Sequence, residues 1–310
     1  MAAESSSTNQ VRVMLWSPPR CLSTVFQKCM SYVDGIQIIN EPYQSAGANN
    51  PELMKQLTEG QGPESQVQVQ ESFDKFMATI EQQELGGNLQ EAGWDDSVCT
   101  PAWVKNLLEG QFPGKKVVFA KDLIFGIRGQ FHMIPKGYKH TFIIRNPTKM
   151  VISCRRNYEM MFPVPEGHQF NLLMLPPLFR EFYQPLLQLI EYLKENKEQT
   201  GDPIIIDADD LQNHPASIVR QYCDAVGIPY NDSLLEWPAG NECVKKNWLV
   251  SKMMLQGDRI IGYYAAAFAS TKFLPSKPLP PENEIPADVV EVAKLEEPFY
   301  KKLYDMRIKP

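Results

Sequence analysis

The sequence lacks any run of about 18 apolar residues, the length a membrane-spanning helix needs, so no span is expected. It also lacks a basic excess: 31 Lys and Arg stand against 37 Asp and Glu, a net charge of −6. That balance excludes a surface for polyanions at large, and with it nucleic acid and heparin-like polymers; a positive site must be local and concave. Histidine is scarce, with four residues (132, 140, 168 and 214) at spacings unlike those of metal ligands, and no metal is expected. The six cysteines form no C-x-x-C pair and read as reduced thiols, several of them on apolar helical faces. The opening MAAESSSTNQ has neither the basic start nor the apolar stretch of a leader peptide. Residues 1–10 therefore read as a flexible N-terminus, and the chain as cytoplasmic.

What is present is ordinary globular composition, 43% apolar and 22% charged over 310 residues, enough for one α/β domain with a substantial core. The stretch that organises it is VRVMLWSPPRCLSTVFQKCM, residues 11–30. Val11 to Trp16 has strand length and chemistry; Ser17 to Leu22 is a turn; from Ser23 the apolar spacing is helical, with Gly35 as the expected stop. A strand, a tight turn and a hydroxyl pair opening a helix make an anion site, because the first helical turn carries unpaired N–H groups and the positive end of the dipole. Arg20 adds a fixed charge, and Ser23 and Thr24 add hydroxyl donors. The turn has no glycine and no lysine directly before Ser23, so it is not the G-x-x-x-x-G-K-[ST] loop of nucleotide hydrolases.

Further β-rich runs follow at 35–40, 116–122, 139–147 and 202–207, most of them followed by helical patterns, the last of which, 287–305, reads as a terminal helix. This alternation predicts a three-layer α/β/α fold on a central, mostly parallel sheet of about five strands. Helix is also expected near 71–84, over 101–109, from about 147, and over 177–197 with a kink or break at Pro185. Residues 44–115 are longer than a crossover needs and read as an insertion over the substrate site; residues 275–286 read as an extended proline-rich segment. The whole, residues 1–310, is taken as a single domain.

A second signature is Ile143-Ile144-Arg145-Asn146-Pro147 with Ser153 eight residues after the arginine. Arg145 leaves a strand end and Ser153 lies about two turns along the next helix, so guanidinium and hydroxyl can converge on one phosphate. Together with Pro19-Arg20-Cys21-Leu22-Ser23-Thr24, and with Ile204 to Leu211 as a strand followed by an acidic pair, this arrangement resembles the sulfotransferase family. The likeness covers roughly residues 11–43 and 115–230. It implies a P-loop-like sulfotransferase fold. It also implies transfer of a sulfuryl group from 3′-phosphoadenosine 5′-phosphosulfate to a hydroxyl or amine, leaving adenosine 3′,5′-bisphosphate. The 5′ loop of the family falls on Arg20, Cys21, Leu22, Ser23 and Thr24, and its 3′-phosphate motif on Arg145 and Ser153.

Three departures redirect the reading. Leu22 stands where many members have glycine, which implies either negative φ or strain. Val25 stands where vertebrate cytosolic members stack a tryptophan on adenine. Lys121-Asp122-Leu123 replaces the family's Lys-x-His, so the base must lie elsewhere. Glu41, at the end of the second strand, is the expected general base, as in branches of the family that use glutamate; a cap, or an ion pair with Arg20 or Lys121, is the structural alternative. Lys121 is expected to reach the sulfuryl group, and His132 is kept as an outside candidate for the base. Asp209 and Asp210 are expected to cap and orient structure, and Ala269 to Phe273 is a weak candidate for closing over the 3′-phosphate. Tyr43, Leu123, Phe125 and Phe131 suggest a small, partly hydrophobic acceptor such as a steroid, phenol or alcohol. A phosphoryl-transferring kinase and a non-catalytic nucleotide- or partner-binding member are the alternatives, and a homodimer is left open.

Overall fold

The computed structural model describes residues 10–58, 71, 74–75, 78–80, 82, 93–162, 164, 167–199 and 201–310. In chain order the elements are β1 (Val11–Ser17), α1 (Ser23–Met30), β2 (Ile36–Asn40), α2 (Pro42–Ser45), α3 (Pro51–Thr58), β3 (Gly93–Trp94), α4 (Pro101–Glu109), β4 (Val117–Leu123), β5 (Lys139–Ile144) and α5 (Pro147–Met161). They continue with α6 (Tyr183–Glu195), β6 (Ile204–Asp207), α7 (Ala208–Asn213), α8 (Pro215–Val226), α9 (Glu242–Asn247), β7 (Trp248–Ser251), α10 (Lys252–Ile261), α11 (Ala265–Ala269) and α12 (Ala287–Asp305).

The strands form one sheet in the order β3-β7-β2-β4-β1-β5-β6. Every pairing is parallel, with Leu15 beside Lys121, Asn40 beside Lys121 and Trp16 beside Phe142. The side-chain period of two sends alternate residues to opposite faces. Met14, Trp16, Val118, Ala120, Phe142 and Ile144 enter one core, with residues of α3, α4, α5, α6 and α12. Val13, Leu15, Val117, Phe119 and Ile143 enter the other, with residues of α1, α8, α9 and α10. Helices on both faces of a parallel sheet make three layers, the α/β fold expected.

The sheet has seven strands rather than about five. The two unforeseen ones are β7, four residues running straight on from α9 without a turn residue, and β3, two residues at the edge. Neither is long enough to show a period of two. The helix expected over 177–197 is a 3₁₀ turn, Pro177–Phe179, and then α6, whose first turn holds Pro185, where its missing N–H costs nothing. α1 ends at Met30, short of Gly35. α12 spans 287–305 and keeps an internal Pro298. Residues 273–281 have no regular structure. Of the expected flexible residues 1–10, only Gln10 is described, its side chain donating to the Phe112 and Lys115 carbonyls at 2.6 and 2.9 Å; the others, and most of the helix expected over 71–84, lie outside the described residues. Among the described residues no helix is long and apolar enough to cross a membrane.

Candidate active site

In a parallel sheet all carboxyl ends lie on one edge, where ligand crevices form. Six strands bring residues to that edge: Ser17, Asp207 and Ser251 end β1, β6 and β7, Glu41 and Arg145 directly follow β2 and β5, and Lys121 lies near the end of β4. After β1 the chain turns through Arg20 and Leu22, with φ of 62° and 67°. Positive φ in non-glycine residues costs on the order of 1 kcal/mol each and collects at functional sites. Leu22 thus takes the strained alternative raised by its replacement of glycine. As N-cap of α1 it gives no side-chain hydrogen bond to the helix, so the first-turn amides are not satisfied by a capping side chain. The Ser17 hydroxyl bonds that of Ser23 at 3.1 Å.

Arg145, just past β5, donates through Nη1 to the Arg20 carbonyl at 3.0 Å. Its Nε is buried and has no hydrogen-bond partner among the described residues. An orphaned guanidinium N–H beside an uncapped helix start is a donor set that fits a phosphate. Ser153, two turns along α5, accepts from Arg20 Nε at 2.9 Å, so the two sequence signatures meet at a direct bond. Arg20 also donates to the Tyr263 carbonyl at 3.2 Å.

Glu41 follows β2 with φ of 52° and stands at the N-cap position of α2 without a side-chain bond to the helix. Its N–H donates to the Lys121 carbonyl at 2.7 Å. Its side chain, 5% exposed, pairs through Oε1 with the Lys121 ammonium, itself 1% exposed. Oε2 accepts from the Tyr264 hydroxyl at 2.8 Å. The ion pair anticipated as the structural alternative for Glu41 is therefore present, and the pair sits on the cavity wall. The neighbouring Asp122 turns away from the cavity. It accepts from the amides of Tyr43, Gln44 and Leu123 at 2.5, 3.1 and 2.8 Å, while burial pushes its carboxyl up to about 8. Those bonds pin the turn that carries Glu41. Gly126 packs on the same turn, where a Cβ would lie 2.7 Å from the Gln44 nitrogen.

Arg20, Leu22, Ser23, Thr24, Glu41, Lys121, Arg145 and Ser153 all line one cavity of about 340 Å³. Away from these residues its wall is largely apolar, built from Leu53, Met54 and Leu57 of α3, Leu123, Phe125, Met161, Phe179, and Met253 and Met254 of α10. Cys21 does not line it. Its side chain is fully buried in the core beside α5 and α6, and burial pushes its thiol well up. All six cysteines are free and buried. His132 is exposed on a 3₁₀ turn and does not line the cavity. Tyr43 is buried with its hydroxyl donating to the Met133 carbonyl at 2.6 Å, and Phe131 packs on Tyr192, so of the four apolar residues expected at the acceptor only Leu123 and Phe125 reach the cavity. Lys272 lies in a separate shallow depression with Glu236 and Trp237, away from the phosphate-type residues. Asp209 and Asp210 pair with Lys149 and Arg307 and receive no place on the cavity.

Sequence reasoning missed Asn157, Tyr158, Tyr263 and Tyr264 on the wall. Asn157 was findable, since it follows Ser153 by four residues and shares its helix face. Tyr158 is the next residue of α5, whereas Tyr263 and Tyr264 follow α10 in a stretch with no motif.

This is a parallel α/β protein with two arginines, a buried lysine–glutamate pair and a helix start gathered at the carboxyl edge of its sheet. Residues 198–306, about a third of the chain, match the family model of a sulfotransferase domain; the match meets the stretch on which the sequence likeness was read at residues 198–230. Two relatives are from Arabidopsis thaliana. Branched-chain-amino-acid aminotransferase-like protein 2 is 24% identical over 235 residues, 73% of this chain and 31% of that protein. Branched-chain-amino-acid aminotransferase-like protein 1 is 29% identical over 121 residues, 39% of this chain and 18% of that protein. The chain spans less than a third of the length of these relatives. Among solved structures, the sulfotransferase domain of the Synechococcus PCC 7002 olefin synthase aligns over 92% of this chain and 94% of its own, with TM-score 0.46 and 14% identity. The sulfotransferase domain from the curacin biosynthetic pathway aligns over 93% and 98%, with TM-score 0.46 and 13% identity.

Proposed function

We propose that the chain is a sulfotransferase that takes 3′-phosphoadenosine 5′-phosphosulfate as donor and a small alcohol, phenol or amine with an apolar body as acceptor. The observation that carries the reading is the convergence of Arg20, Arg145 and Ser153 beside an uncapped α1, with a buried Arg145 Nε left without a partner among the described residues. Arg20 and the amides opening α1 would hold the 5′-phosphate, and Arg145 with Ser153 the 3′-phosphate. The donor supplies the activated sulfuryl group. Glu41 takes the proton of the attacking hydroxyl, and Lys121 meets the negative charge on the sulfuryl oxygens. The products are the sulfate ester, adenosine 3′,5′-bisphosphate and one proton. The apolar wall of α3 and α10 residues would exclude water and bury the acceptor's body, leaving its reactive group at Glu41.

The test is transfer of radiolabelled sulfate from the donor to a panel of hydroxylated apolar compounds, without added metal and with chelator present. Labelled ester is the expected product. Phosphate transfer from ATP with Mg²⁺ in its place would make the chain a kinase, and no transfer with donor still bound would make it a binding protein.

A further inference from the structure

Glu41 is held by two neighbours that answer to different things. Lys121 grips Oε1, but an ammonium on the cavity wall is also the cation an incoming sulfuryl group meets. Tyr264 grips Oε2 and has no such second duty. Its ring is 2% exposed and packs edge-on to Phe268 with centroids 5.8 Å apart. Its phenol oxygen accepts from Asn40 Nδ2 at 2.9 Å and donates to Glu41 at 2.8 Å. That chain runs one way only: an amide N–H can only donate and a carboxylate can only accept, so the phenol proton is committed to Glu41. Its backbone N–H is fixed to Asp258 at 2.6 Å. The next helix, α11, is tied at its C-terminal end by the buried Lys28 ammonium, which donates to the carbonyls of Ala267, Phe268 and Ser270 at 3.2, 2.8 and 2.9 Å. Tyr264 therefore reaches Glu41 from an anchored segment more than two hundred residues away in sequence.

We propose that Tyr264 is a positioning residue: its phenol keeps the Glu41 carboxylate aimed at the acceptor when Lys121 turns to the donor. This rests on the reading of Glu41 as base. A carboxylate released by Lys121 would be free to rotate about its side-chain torsions. Loss of aim by a fraction of an ångström is expensive in a proton transfer that must coincide with bond formation. Asn40 acts one step further back, by orienting the phenol.

A double-mutant cycle tests the proposal, using single-turnover rates for the wild type, Tyr264→Phe, Glu41→Gln and the pair, with adenosine 3′,5′-bisphosphate affinity measured on each. Tyr264→Phe is expected to lower the transfer rate on the order of tenfold, leave bisphosphate affinity unchanged, and add nothing on top of Glu41→Gln. A wild-type rate in Tyr264→Phe would overturn the proposal, as would a loss that carries over in full onto Glu41→Gln, the mark of a merely structural role. Asn40→Ala, which leaves the phenol in place, is expected to give a smaller loss that again vanishes in the Glu41→Gln background, and serves if Tyr264→Phe does not fold. Should Glu41→Gln itself keep the wild-type rate, the reading of Glu41 as base fails, and that result is read without any Tyr264 variant.

Discussion

The two parts of the chain that meet at the cavity contribute different things. Among the described residues, the four charged side chains on its wall, Arg20, Glu41, Lys121 and Arg145, come from residues 20–145. The stretch 198–306, where the family model matches, adds Met253, Met254, Gly257, Tyr263, Tyr264, Ala266 and Ala267, none of them charged. The family model thus matches the segment that supplies β6, β7 and one wall, while the ionic groups rise from strand ends and the residues just past them. The strain falls on the same side of this division: Arg20, Leu22 and Glu41 have positive φ, and the fourth such non-glycine residue among those described is Lys197. The first part aims charge; the second closes space around it.

If that division is right, substitutions in the first part should remove chemistry or anion binding, and those in the second should change the fit of the acceptor. The largest effect is expected for Glu41→Gln, a fall in transfer rate on the order of 10³-fold with bisphosphate affinity retained, since general base catalysis contributes 10²–10⁴-fold. Rate and affinity measured together separate loss of the base from loss of the fold. An unchanged rate would break the comparison outright.

The next effect is on stability and belongs to the buried frame of the first part. His140 accepts from Trp16 Nε1 at 3.0 Å through Nδ1 and is neutral there, because burial depresses its pKa from 6.5 to about 4. A group depressed in the folded state lends its full stability above the unfolded value. That contribution falls as pH drops from 6.5 through about 4 and levels off below. The expected loss over this window is roughly 3 kcal/mol at 1.36 kcal/mol per pKa unit. Urea midpoints at pH 7.5 and 4.5 should differ less in His140→Gln, which has an acceptor for Trp16 but no titration. Equal differences would contradict the assignment.

Arg145→Ala should weaken adenosine 3′,5′-bisphosphate binding by about 10- to 100-fold, the value of a lost charge-assisted bond, and Arg145→Lys should recover only part because it lacks the planar fork. Titration calorimetry reads both. The smallest effect is expected in the second part: Met254→Ala should raise KM for an apolar acceptor about fivefold, from roughly 1 kcal/mol of lost burial, with bisphosphate affinity unchanged. A fall in bisphosphate affinity there instead would blur the division between the two parts.

The legibility of the sequence follows the same line. β1, the turn and the start of α1 were readable because strand chemistry, a proline-rich turn and a hydroxyl pair come in unbroken order over residues 11–24. Arg145 and Ser153 were readable because strand end and helix spacing are local facts, and α12 because its apolar stripe is long. Glu41 was readable as to place, by its strand end and Pro42. Its partner Tyr264 was not, since nothing local marks a tyrosine that reaches back across the chain to a carboxylate. β7 went unseen because it is short and follows α9 without a turn residue. The direction of the Cys21 side chain was not legible for a related reason: a loop position places the residue and its backbone amide in the turn, but does not show that the side chain faces the core between α5 and α6.

The most direct measurement of the central claim is a thermal-shift titration of the wild type and Arg145→Ala with adenosine 3′,5′-bisphosphate, set beside ADP and ATP with and without Mg²⁺. A ligand bound only by the folded chain raises the midpoint by mass action. The account predicts a metal-independent rise that is largest for the bisphosphate in the wild type and strongly reduced in Arg145→Ala. A preference for ATP with Mg²⁺, or a bisphosphate shift that survives intact in Arg145→Ala, would contradict it.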